Sequence, residues 1–188
     1  MEIALFGGTF NPPTKAHQDI TSACAELPYI DEVWLMPSNQ RLDKHFDISD
    51  CHRIEMLEAV VGEIVSNKII RIENIELNMR GYTHTSDTVR MVSQKYPNDS
   101  FWYVYGVDSY ESMGNWAQGQ QLKDNLQMIL VPRAGHAMPE ETERVRHLEV
   151  PNIVEMDLSS TKVRAKIAKS ESIAGLVCQG VESVIKQR

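Results

Sequence analysis

Short apolar runs alternate with longer amphipathic stretches along the chain. The runs at 2–6, 32–36, 69–75, 101–105, 128–131 and 153–155 are compact and rich in Val and Ile, as in strands buried on both faces. Between them apolar residues recur at helical spacing. Residues 17–27 carry Ile20, Ala23, Cys24 and Leu27 on one face; 51–65 carry Ile54, Leu57, Val61, Ile64 and Val65; 85–96 carry Val89, Val92 and Tyr96. A further helix is expected over 139–148, with Pro139 at a first-turn position, and helices over 160–169 and 174–186 close the chain. Strand–helix alternation of this kind predicts an α/β protein with a parallel sheet covered on both faces. No repeat, low-complexity tract or convincing linker interrupts it, so 1–188 is expected to form one domain, with the helices after about 160 packed on the same body.

The remaining bulk properties narrow the chemistry. A chain of 188 residues is long enough for a real core. Its net charge of −7 argues against binding nucleic acid by bulk electrostatics, which needs a basic face. A small nucleotide remains compatible, because a local nest of N–H groups and a few cations suffices for it. Cys24, Cys51 and Cys178 are far apart and odd in number, which reads as reduced thiols, and no Cys/His spacing suggests a metal site. No apolar run approaches the ~18 residues of a membrane span, so a cytoplasmic protein with no membrane partner is expected. Association of identical subunits stays open.

Four segments follow strand candidates, and in an open α/β sheet such loops converge on one crevice. The first is Gly7-Gly8-Thr9-Phe10-Asn11-Pro12-Pro13-Thr14-Lys15-Ala16-His17, a strand–turn–helix junction. Glycines let the main chain approach an anion, and the amides at a helix start favour negative charge. The second is Gly106-Val107-Asp108-Ser109, with Trp116 beyond it; the third is Val131-Pro132-Arg133-Ala134-Gly135. The fourth, Ser159-Ser160-Thr161-Lys162-Val163-Arg164, sets hydroxyls and free amides beside two cations, and arginine can grip a phosphate through two parallel bonds. Each also has a plain structural reading: a tight turn, a helix cap, a solvated arginine, a capped surface helix.

Taken together, GGTFNPPTKAH, GVDS with Trp116, and SSTKVR resemble the nucleotidyltransferase superfamily with the (H/T)xxH signature, in which two such motifs flank the ATP phosphates. The order and spacing of IDEVWLMP, CHRIEML and HTSDTV are similar to the bacterial nicotinate-nucleotide adenylyltransferases. The resemblance implies a Rossmann-like open parallel sheet with a C-terminal helical extension. It also implies transfer of AMP from ATP to nicotinate mononucleotide. Close alternatives are nicotinamide mononucleotide or phosphopantetheine as acceptor, and a more distant one is a nucleotide-binding protein that has lost catalysis. The chain departs from the family pattern at Asn11, Thr14 and Ala16, at Asp43-Lys44-His45, and at His84, where tyrosine is common, with Tyr82 nearby.

The resemblance implies roles as well. His17, Thr14 and Arg164 would be catalytic. ATP would lie on Gly7, Gly8, Thr9, Phe10, Gly106 and Asp108, with Ser159, Ser160 and Thr161 at its far phosphates. The acceptor, a pyridine mononucleotide, would meet Lys44, Thr85, Trp116 and Arg133. Mg2+ is expected on the ATP phosphates, since the sequence offers no dedicated carboxylate cage.

Overall fold

The computed structural model describes residues 1–39, 48–79, 81, 83–153 and 158–187. Strands β1 (Glu2–Gly8), β2 (Glu32–Pro37), β3 (Ile69–Ile72), β4 (Ser100–Gly106), β5 (Gln127–Val131) and β6 (Val145–His147) form one parallel sheet in the order β3-β2-β1-β4-β5-β6. Successive side chains of a strand point to opposite faces, and here both sets are apolar. Ala4, Phe6, Val33 and Leu35 pack with Ile20, Cys24 and Leu57 on one face. Ile3, Leu5, Trp34 and Met36 pack with Val92 and Leu122 on the other. Each such side chain contributes ~1.5–3 kcal/mol by leaving water.

The helices that cover the sheet are α1 (Lys15–Glu26), α2 (Asp50–Glu63), α3 (Thr85–Lys95), α4 (Val107–Ser112), α5 (Gly119–Asn125), α6 (Ser160–Ala168) and α7 (Gln179–Lys186). Strand order reverses between β1 and β4, which opens a crevice at their carboxyl ends, where Gly8 and Gly106 lie. Among the described residues no helix is long and apolar enough to cross a membrane.

Several expectations are corrected. Residues 139–148 are not a helix: β6 occupies Val145–His147, because Val145 pairs with Met128 on the sheet edge and its amide also bonds the Thr142 hydroxyl. Ile153 lies in a turn, and the rest of the strand expected there falls outside the described residues. The last helix starts at Gln179 rather than 174, since Gly175 has φ +77° and Ala174 bridges Val177. Strand β3 ends at Ile72, short of the expected 75. The sequence pattern also passed over α4 and α5, which are too short to show a period. On α2 the buried face is Arg53, Met56, Leu57 and Val60, so the apolar stripe is rotated from the expected one, and Val65 is 97% exposed. Met56 and Val60 carry the C-terminal helix α7 through Val177 and Val181.

Arg53 is wholly buried. Its Nη1 donates to Thr9 O at 3.1 Å, just past β1, and to Ser38 O at 2.6 Å, just past β2, while Nη2 pairs with Asp50 at 2.5 Å. Removing it strands carbonyls in a dry site, which costs more than the bonds themselves contribute. Arg53→Met is expected to lower the urea-unfolding free energy by about 3 kcal/mol, and Arg53→Lys by less, since an ammonium still reaches one carbonyl.

Candidate active site

The junction after β1 is built around His17. Thr14 caps α1, which places His17 in the first turn. The Thr14 amide donates to His17 Nδ1 at 2.9 Å. A backbone amide only donates, so Nδ1 is the bare nitrogen and Nε2 carries the proton. The Thr14 hydroxyl, 2.7 Å from the same nitrogen, must then donate to it too. Thr14 is itself buried, so both groups are held in place. The ring lies over Phe6, with centroids 5.8 Å apart at 26°, and meets Phe10 edge-on at 5.2 Å. Burial pulls the His17 pKa down to about 4, and the nearby Arg133 guanidinium adds to the effect. The imidazole is therefore neutral at pH 7, offering one fixed donor, Nε2–H.

Phe10 reaches this position only with a strained backbone, at φ +47°. Its ring in turn needs glycine at position 8, where a Cβ would sit 3.1 Å from Phe10 Cζ. The helix start is more occupied than the sequence suggests: Thr14 N–H goes to His17, and Lys15 N–H goes to Leu176 O at 2.9 Å. Amides expected to face an anion are thus partly engaged within the protein.

The fourth segment meets the first. Ser159 caps α6, accepting from Lys162 N at 3.3 Å. Ser160 Oγ–H donates to Pro12 O at 2.8 Å. Arg164 Nη1 donates to Asn11 O at 2.7 Å, and its Nη2 lies 3.2 Å from Thr161 Oγ1. Gly7, Gly8 and Thr9 run through the end of β1 into this junction, so the two motifs form one wall.

The second and third segments also meet. Gly106 ends β4 and caps α4, and a Cβ there would lie 2.3 Å from Asp108 Oδ1. Asp108 faces Arg133 Nε at 3.8 Å, with both side chains substantially exposed. One turn on, Glu111 pairs with His136 at 2.6 Å. Trp116 is half-buried, its ring 5.9 Å from Tyr105 at 75°. Thr85 opens α3 behind the cap residue His84, which is exposed. Lys44 and its neighbours Asp43 and His45 lie outside the described residues, as does Tyr82.

Sequence reasoning missed the main-chain partners Asn11 O, Pro12 O and Leu176 O, which leave no trace in residue type. It also assigned no task to Arg53. The signal was there: an arginine at the same helical spacing as Leu57 and Val60 on a face that has to be buried.

Comparison with known proteins places this geometry. The family model described as cytidylyltransferase-like matches residues 5–166. A relative from Exiguobacterium sibiricum, named "Probable nicotinate-nucleotide adenylyltransferase", is 30% identical over 100% of this chain and 97% of its own. The nicotinate-nucleotide adenylyltransferase of Bacillus subtilis is 29% identical, covering 99% and 96%. Among solved structures, the Plasmodium falciparum nicotinic acid mononucleotide adenylyltransferase complexed with NaAD superposes with a TM-score of 0.84 at 22% identity, over 99% of this chain and 95% of that one. A strand–turn–helix wall facing a switch-point crevice is where an open α/β sheet binds its ligand, and the family model and these relatives make the chain a nucleotidyltransferase. The chain belongs to the cytidylyltransferase-like family.

The His17 ring predicts a pH effect on stability. Its folded pKa is about 4 against 6.5 when free, so between these values the unfolded chain binds more protons. The contribution is complete above pH 6.5 and is lost as pH falls towards 4. Going from pH 7 to pH 4.5, the wild type is expected to lose on the order of 2 kcal/mol more than His17→Gln, read by urea unfolding at both pH values.

Proposed function

We infer that this protein is an adenylyltransferase of NAD biosynthesis, moving AMP from ATP to nicotinate mononucleotide and releasing pyrophosphate. The observation that carries the mechanism is the locked, neutral His17 with its single donor, Nε2–H, on the wall shared with Ser160 and Arg164. The full-length likeness to nicotinate-nucleotide adenylyltransferases supports the choice of acceptor.

A 5′-phosphate oxygen of nicotinate mononucleotide attacks the α-phosphorus of ATP. The new P–O bond forms as the bond to the β-phosphate oxygen breaks, and pyrophosphate leaves with that electron pair. The attacking oxygen is already anionic at neutral pH, so no general base is required. Alignment and charge stabilisation remain for the protein. His17 Nε2–H donates to a non-bridging α-phosphate oxygen, where charge concentrates in the transition state. A neutral donor suits this step, because its position is fixed before substrate arrives. Thr14 serves through His17, spending its amide and hydroxyl protons on Nδ1. Gly7, Gly8, Thr9 and Phe10 form the floor for ATP, with Gly106 and Asp108 on the adenosine side. Arg164 keeps donors beyond those given to Asn11 and Thr161, and with Ser159, Ser160 and Thr161 it receives the leaving phosphates. Mg2+ arrives on the ATP phosphates as part of the substrate, with water completing its shell.

On the acceptor side, Trp116 stacks on the pyridine ring. Thr85 and the first amides of α3, which have no intrahelical partners, meet the carboxylate. Arg133 and Lys44 supply cations for phosphate.

His17→Ala is expected to lower kcat for pyrophosphate release by on the order of 100-fold or more, with an unchanged melting profile. Near-normal kcat would remove His17 from the mechanism. In the same assay the wild type is expected to prefer nicotinate mononucleotide over nicotinamide mononucleotide by at least about tenfold in kcat/KM, since a neutral amide forfeits a charge-assisted bond. Equal use of both would overturn the acceptor assignment.

A further inference from the structure

One carboxylate outside the wall just described joins three segments at the rim of the crevice. Glu76 opens a short 3-10 turn after β3. Its Oε1 accepts from the Thr88 hydroxyl at 2.6 Å, in the first turns of α3. Its Oε2 accepts from the Asn39 amide at 3.2 Å, in the loop beyond β2. Asn39 then carries the link onward: its Nδ2 donates to Met79 O at 2.8 Å and to Gly81 O at 2.9 Å. Met79 and Gly81 ahead of α3, and Thr88 within it, are thus tied to Asn39 and Glu76. Thr88 is 2% exposed, so its hydroxyl sits where water cannot readily replace Glu76. Glu76 also lies close enough to act electrostatically on Tyr105, the ring against which Trp116 packs. One side chain therefore ties the loop beyond β2 to the first turns of α3, and none of the contacts cited for it involves the wall around His17.

We propose that Glu76 is a positioning residue for the acceptor, holding the amino end of α3 in place through the Asn39 amide and the Thr88 hydroxyl. The proposal rests on the reading that the acceptor sits at that helix end. A carboxylate accepts from the Asn39 amide and the Thr88 hydroxyl at once and strengthens both bonds with its charge, whereas a glutamine keeps both only by turning the Thr88 hydroxyl into an acceptor and giving up that charge. The rigidity is specific to one substrate: ATP lies on the far side of the crevice, against segments joined by Arg53, Ser160 and Arg164.

The test is a steady-state comparison of wild type, Glu76→Gln, Thr88→Val and Thr88→Ser, varying ATP and nicotinate mononucleotide separately and recording melting profiles. Glu76→Gln and Thr88→Val are expected to raise the KM for nicotinate mononucleotide about tenfold, the worth of one misplaced charge-assisted bond, while kcat and the KM for ATP stay within about twofold. Thr88→Ser keeps the hydroxyl and is expected to match the wild type. If Glu76→Gln fails to fold, Thr88→Val, which replaces the hydroxyl with a methyl group of similar size, decides the matter. An unchanged acceptor KM in both variants would overturn the proposal. So would a joint rise in both KM values with a lowered melting temperature, which marks a general structural role. A wild type active only with another acceptor would overturn the assignment of nicotinate mononucleotide, and the same KM split measured with that acceptor would still judge Glu76. A wild type inert with every acceptor would overturn both.

Discussion

The loops that leave β1 and β2 keep their spacing because a guanidinium is buried between them. Arg53 bonds Thr9 O on one side and Ser38 O on the other, and Asp50 balances its charge from the same helix. Parallel strands end in loops that have no ladder to hold them, and those ends carry the chemistry in an open α/β sheet. A buried charge is costly unless fully bonded, so Arg53 makes any other arrangement of the two loops expensive. The Gly8–Phe10 turn, the capped start of α1 and the orientation of His17 all depend on Thr9 staying where that arginine holds it.

Constraint passes outward from this point in two directions. On one side it runs through the cramped turn, where Phe10 takes a left-handed backbone and packs on His17. Strain of this kind survives only where the surroundings over-determine it, which here means Phe6, Gly8 and the Thr14 contacts. On the other side it runs from Ser38 to its neighbour Asn39, and from there to Glu76, Thr88 and α3. Arg53 therefore ties the two sides together, one at Thr9 and the other at Ser38.

Much of this was legible in the residues and some was not, for physical reasons. The β1 junction could be read because glycines, a capping threonine and a histidine three residues on leave few other conformations. Ser159–Arg164 could be read because hydroxyls at a helix start have a local purpose, but the strand expected just before it is not what brings it to the first segment: side chains do, through Ser160 on Pro12 O and Arg164 on Asn11 O. Residues 139–148 were misread because an edge strand takes its identity from the neighbour it pairs with, here Met128 and its flanks, and β6 has only its short pairing to declare it. The rotation of α2 escaped because an arginine was counted as polar where its burial made it part of the inner face. Contacts made to main-chain carbonyls, such as Arg164 to Asn11 and Lys15 to Leu176, carry no signature in residue type at either end.

The bond from Lys15 N–H to Leu176 O bears on how the protein comes into being. The turn that holds His17 is synthesised well before the segments that bond to it. Its neighbours Ser160, Arg164 and Leu176 belong to the last fifth of the 188 residues. The segments of β1 and β2 emerge from the ribosome well before these partners do. The wall around His17 stays incomplete until they dock, so Asn11, Pro12 and Lys15 acquire all these contacts only once Leu176 has been made.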